Sequence, residues 1–216
     1  MKTIKTLALT CCLLLAAVPL NASLITIRPA GTTTVLTTIT GNWSYSPSVV
    51  ANGFTITGEN VWYGDSGFGL NSNGNWGNFA WVGGYCYSGD CTATINLGGL
   101  YASVGGFMNY AENGPVPNGP GDPVISAIAA DGITVLASYD LFTDAPISTP
   151  GGFNAGAYRG ISQPTADIAY LRLSGSYLIE HDITLSSSST PEPASLLLLG
   201  SGLVGIAGMV RRKISL

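Results

Sequence analysis

An all-β fold, an antiparallel sandwich or barrel, is what the sequence predicts for the body of this chain. Three observations predict it. Short runs alternate apolar and polar residues with period two, 29 glycines and 12 prolines cut those runs to strand length, and no helical periodicity appears between the two ends. With 216 residues, 46% hydrophobic and only 9% charged, the chain has apolar surface for one substantial core, and charge-driven disorder is excluded.

In chain order, Lys2 and Lys5 precede an apolar run at 7–18, after which Pro19, Ala22 and Ser23 supply a break and small residues for cleavage. This predicts a secretory signal peptide over 1–22, because so short a run falls below the ~20 apolar residues that span a bilayer. The ectodomain then covers 23–185. Strands are predicted at 24–28, 33–40 and 54–57, and at 92–97, where Ala93, Ile95 and Leu97 share one face and Thr92, Thr94 and Asn96 the other. The clearest hairpin joins 124–130 to 133–139 through Asp131-Gly132, a pair that suits a two-residue type I′ turn. Strands at 168–173 and 177–185 follow, separated by Ser174-Gly175-Ser176. The Pro- and Gly-rich stretch 112–123 cannot pair as strand and reads as a surface loop, and 143–157, also rich in Pro and Gly, reads as a second loop. Neither resembles an interdomain linker, so one domain is expected.

The tail has three parts. Residues 186–193 are a Ser/Thr linker ending in Pro191-Glu192-Pro193, whose prolines keep the following helix from extending backwards. Residues 194–210 are uncharged and predict a transmembrane helix rising ~25 Å. In the basic tail 211–216, Arg211, Arg212 and Lys213 stop transfer and stay cytoplasmic, which leaves the ectodomain outside. Motif, span and basic cluster in this order resemble a PEP-CTERM sorting signal. The resemblance implies recognition of the Pro-Glu-Pro region and removal of the tail by an exosortase, a membrane enzyme with a cysteine nucleophile. It also implies export across the inner membrane of a Gram-negative, exopolysaccharide-making bacterium. The precursor is then membrane-anchored, and the processed protein belongs to the cell envelope or lies outside the cell.

Gly106-Phe107-Met108, Tyr158-Arg159-Gly160-Ile161 and the closing Glu180-His181-Asp182-Ile183-Thr184-Leu185 resemble the jelly-roll, galactose-binding-like ectodomains common among such proteins. This second resemblance implies a jelly-roll-like β-sandwich and carries over no site residue. No cofactor is expected; domains of this kind often hold a structural calcium, and hard oxygen donors are abundant here, although no EF-hand-like spacing assigns ligands.

Charge and reactive side chains narrow the chemistry. Between 23 and 189, Arg28, Arg159 and Arg172 stand against 11 acidic residues, leaving −8, and all three lysines lie at the chain ends. No basic patch exists to neutralise phosphates, so nucleic acid is excluded as a partner. Cys86 and Cys91, the only cysteines left after processing, are exported and close in sequence, and a disulfide is expected between them. They and the distant His181 cannot fill a tetrahedral zinc site.

His181, the sole histidine, would have to serve any Ser-His-Asp triad, yet it shares a mostly apolar strand face with Ile179 and Ile183. Glu180 and Asp182 share the other face with Thr184. Their separation of roughly 7 Å suits an inverting glycosidase, but it also describes an ordinary solvated face, and nothing beside them marks a sugar subsite. No catalytic residue is assigned. Trp43, Trp62, Trp76 and Trp81 fall within 39 residues beside Tyr45, Tyr63, Tyr85 and Tyr87, in an Asn- and Gly-rich stretch that reads as loops. They are the candidate glycan-binding residues, against the alternative that they fill the core. The expected function is a non-enzymatic envelope or matrix protein associated with exopolysaccharide. A carbohydrate-binding module with a defined ligand is the alternative, and a surface hydrolase stands behind it.

Overall fold

The computed structural model describes residues 21–41, 43–65, 68–69, 75–77, 79–84, 92–110, 121–149, 153–154, 156–175, 178–188 and 201–202. Cys86 and Cys91, the Pro191-Glu192-Pro193 motif, Arg211, Arg212 and Lys213, and nearly all of 1–22 and 194–210 lie outside them. Among the described residues, no helix is long and apolar enough to cross a membrane.

The chain is all-β. Sixteen strands are described: β1 (Ser23–Ile25), β2 (Thr32–Val35), β3 (Ser44–Ala51), β4 (Phe54–Gly64), β5 (Phe68–Gly69), β6 (Asn75–Trp76), β7 (Trp81–Gly84), β8 (Thr92–Tyr101), β9 (Ser103–Asn109), β10 (Val124–Ile128), β11 (Val135–Asp140), β12 (Phe153–Asn154), β13 (Ala157–Ser162), β14 (Ile168–Ser174), β15 (Leu178–Glu180) and β16 (Asp182–Ser186). One short helix, α1 (Leu141–Asp144), follows β11 and is capped by the Asp140 carboxylate, which accepts from the N–H groups of Phe142 and Thr143.

Thirteen of these strands form one antiparallel sheet in the order β1-β13-β9-β15-β7-β4-β8-β14-β10-β11, with β3 on β4 and β16 between β9 and β2. β12, β6 and β5 make a small separate sheet. The two ends of the long path come together, because the Tyr139 hydroxyl of β11 donates to the Ala22 carbonyl just before β1 at 2.9 Å. The sandwich expected from strand spacing is thus one continuous sheet, wrapped almost into a barrel. β8 alternates as its sequence requires, burying Ala93, Ile95 and Leu97. With Ile56, Ile125, Leu171 and Leu173 they meet Val104, Met108, Ile161, Leu178 and Ile183 in one core. Burying a side chain of this size contributes ~1.5–3 kcal/mol.

Two hairpins depart from the sequence reading. Asn52 (φ 49°) and Gly53 (φ 91°) form the two-residue connection between β3 and β4, with Ala51 opposite Phe54. Both positive φ values suit a type I′ turn, which Asn-Gly adopts at little cost. The Asn52 side chain also holds the preceding loop: its carbonyl accepts from the Thr38 N–H and its amide donates to the Thr37 hydroxyl. Asp131-Gly132 does not make the expected I′ turn. Only Gly132 of the pair takes a positive φ, 74°, and the loop closes further out through the Ala129 N–H donating to the Thr134 carbonyl. The Asp131 carboxylate explains the difference, since it accepts from the N–H groups of Ile133 and Thr134 and organises a wider loop.

Candidate functional site

The tryptophan-rich segment is mostly strand, in contrast to the loops expected. Cross-strand register builds an aromatic cluster there: Trp62 of β4 lies opposite Tyr45 of β3 on one side and Gly83 of β7 on the other, while Trp81 lies opposite Gly64. Tyr45 stacks on Trp62 with centroids 6.2 Å apart and planes 7° apart. Trp43 and Trp81 meet Trp62 edge-on, at 5.4 Å and 4.6 Å. Glycine is required beneath the rings, because a Cβ on Gly64 would lie 2.7 Å from the Trp81 ring. The neighbouring Val61 and Val82 join the main core whereas Trp62 and Trp81 do not, so the aromatics form a second apolar cluster on the outer face of the sheet.

Burial divides the candidate glycan residues. Trp62 and Trp81 are 0% exposed, which corrects their assignment as binding residues: a ring covered on all sides offers no face to a sugar. Trp43 and Tyr45 are 45% and 47% exposed and together make a shelf above Trp62. Trp43 also has φ 56°, an unusual backbone conformation for a bulky residue. The Trp76 side chain lies outside the described residues.

The carboxylate and histidine residues lie at a break in the closing strand. Glu180 pairs with Met108 while Thr184 pairs with Gly105, so four steps along β15–β16 match three along β9. This is a β-bulge centred on His181 and Asp182. It reverses strand parity: Leu178 and Glu180 face the core before it, and Ile183 and Leu185 face the core after it. Glu180 and Asp182 therefore do not share a face, and His181 does not share one with Ile183. Neither carboxylate is on a solvated face either, since Glu180 is 0% exposed and Asp182 2%. This geometry removes the paired-carboxylate arrangement of an inverting glycosidase.

Asp182 is satisfied by the Phe107 N–H, which donates to its carboxylate at 2.6 Å. Glu180 packs above Gly106, where a Cβ would overlap both its carboxylate and the Asp182 carbonyl. Burial, and then the charge of Asp182, hold the Glu180 carboxyl well above the usual carboxylate range. His181 stacks on Phe79 at 4.7 Å and leans toward Phe107 at 6.3 Å, and burial lowers its pKa against the opposing pull of Asp182. On β13, burial and then Glu180 push the Tyr158 phenol up. The Arg28 guanidinium lies 5.9 Å from the Phe107 ring centre, within cation–π reach. Arg159, buried, donates instead to the carbonyls of Ala145, Pro146 and Tyr158. Among the described residues, no group of three or more His, Cys, Asp or Glu side chains is gathered around a metal position.

A sequence signal for the bulge exists beside the regular strand expected at 177–185. Leu178, Ile183 and Leu185 cannot all face one core from a regular strand, since their numbers change parity.

No curated protein and no solved structure matches this chain. Residues 189–213 match the family model of the PEP-CTERM protein-sorting motif, and the chain thereby carries the sorting signal of an exosortase-targeted exported protein.

Proposed function

We propose that the chain is a non-enzymatic cell-envelope or extracellular-matrix protein of a Gram-negative bacterium, processed by exosortase, whose β ectodomain associates with exopolysaccharide. The sorting motif at 189–213 carries this reading. The half-exposed Trp43 and Tyr45 support the association, because aromatic faces with polar edges suit sugar rings. The same shelf favours the second reading, a carbohydrate-binding module with one defined glycan. The structural calcium has no ligand set in support among the described residues.

Replacing Pro191, Glu192 and Pro193 by alanine in an exosortase-bearing host should leave the tail attached and the protein in the inner membrane. Processing and release equal to the unaltered chain would refute the sorting assignment. Polysaccharide retention should fall when Trp43 and Tyr45 are both changed to alanine. A glycan panel separates the two readings, with broad weak retention for the matrix protein and one preferred ligand for the module.

A further inference from the structure

Glu180 is buried with nothing to receive a charge. It ends β15 opposite Val82 of β7 and Met108 of β9, is 0% exposed, and neither carboxyl oxygen has a hydrogen-bond partner among the described residues. The titratable groups that act on it are Asp182, which begins β16, and Tyr158 on β13, with His181 following it in the bulge; Arg159 neighbours Tyr158 on β13, and Arg28 reaches Phe107 of β9. β7 and β9 themselves present none. None of these groups neutralises it. Arg159 is engaged by three backbone carbonyls, Arg28 lies over Phe107, and Asp182 is itself an acid.

We propose that Glu180 is a proton-held latch: the fold closes around its neutral carboxyl where β7, β9, β15 and β16 meet, and ionisation loosens that junction. A neutral carboxyl at such a site costs far less than an unpaired carboxylate, for which the sheet supplies neither donor nor counter-charge. The raised proton affinity follows from the same burial.

The sign follows from proton linkage. In the unfolded chain Glu180 ionises near its ordinary value, about 4.3, whereas the folded state keeps its proton to higher pH. Across that window the folded state binds one proton more, so stability falls as pH rises, by about tenfold in the folding constant per pH unit. β15 is hydrogen-bonded to β7, which carries Trp81, so loosening at Glu180 should disturb the aromatic cluster and register in tryptophan fluorescence.

The test is urea unfolding of the full-length chain in detergent, followed by tryptophan fluorescence at several pH values above about 4.3. Glu180→Gln keeps the shape and removes the ionisation. The wild type should lose stability with rising pH more steeply than Glu180→Gln, and the variant should be the more stable of the two at neutral and alkaline pH. Equal slopes would overturn the latch. Infrared spectroscopy of the wild type at neutral pH keeps the idea exposed even if the variant misfolds. A protonated-carboxyl stretch that vanishes at alkaline pH supports the latch, and its absence at neutral pH overturns it.

Discussion

Two regions two strands apart both bury what a sheet's outer face or closing strand would normally leave wet, and they do so by opposite means. Around Trp62, large rings cover one another, and the glycine at 64 makes room for the Trp81 ring. Around Glu180, a bulge folds a carboxyl inward over Gly106 and supplies no partner. The first arrangement gains from burial at any pH. The second depends on a proton. The difference teaches that burial is stabilising only in the state of charge the surroundings can accept.

The largest expected effect tests the aromatic side of this contrast. Trp62→Ala should cost ~3–5 kcal/mol, because the surrounding rings cannot collapse into the space left behind. Denaturant unfolding measures it, and a cost below ~1 kcal/mol would mean that Trp62 is not the centre of a packed cluster.

Gly106→Ala comes next. Its methyl would overlap the Asp182 carbonyl and the Glu180 carboxylate, and overpacking of this kind costs ~1–3 kcal/mol, more when backbone must move. Thermal melting of the variant checks it; an unchanged midpoint would show that the bulge is loosely packed.

His181 sharpens the electrostatic half. Burial keeps its imidazole neutral in the fold to lower pH than in the unfolded chain, so below about 6.5 the unfolded state binds the extra proton and stability falls as pH falls. This is opposite in sign to Glu180. His181→Phe should remove that acid-side loss in a pH series of melts while leaving the loss on the alkaline side.

The smallest effect belongs to the shelf. Trp43→Ala should cost ~1 kcal/mol or less, since nearly half of the residue is exposed and removing a bulky side chain eases the left-handed backbone. A loss as large as that of Trp62→Ala would make Trp43 part of the cluster's support instead of a surface for ligands.

Local chemistry determined much of this protein from sequence alone. Alternation in 92–97 specified which side chains of β8 enter the core, since the period of a strand is a property of the backbone. The sorting tail was equally legible, because an ordered motif, an apolar run and a basic cluster need no folded context to be recognised. Asn52-Gly53 is a readable hairpin signal, whereas Asp131-Gly132 is a deceptive one because its own carboxylate competes for the loop's N–H groups. Only the tertiary structure decided which tryptophans are covered and which are open. Trp43 and Trp62 are chemically identical, and their difference arises from cross-strand neighbours far apart in sequence. The same holds for Glu180: a one-residue bulge, set by pairing with β9, turned an apparently solvated carboxylate into a buried one, because strand parity is local but register is not.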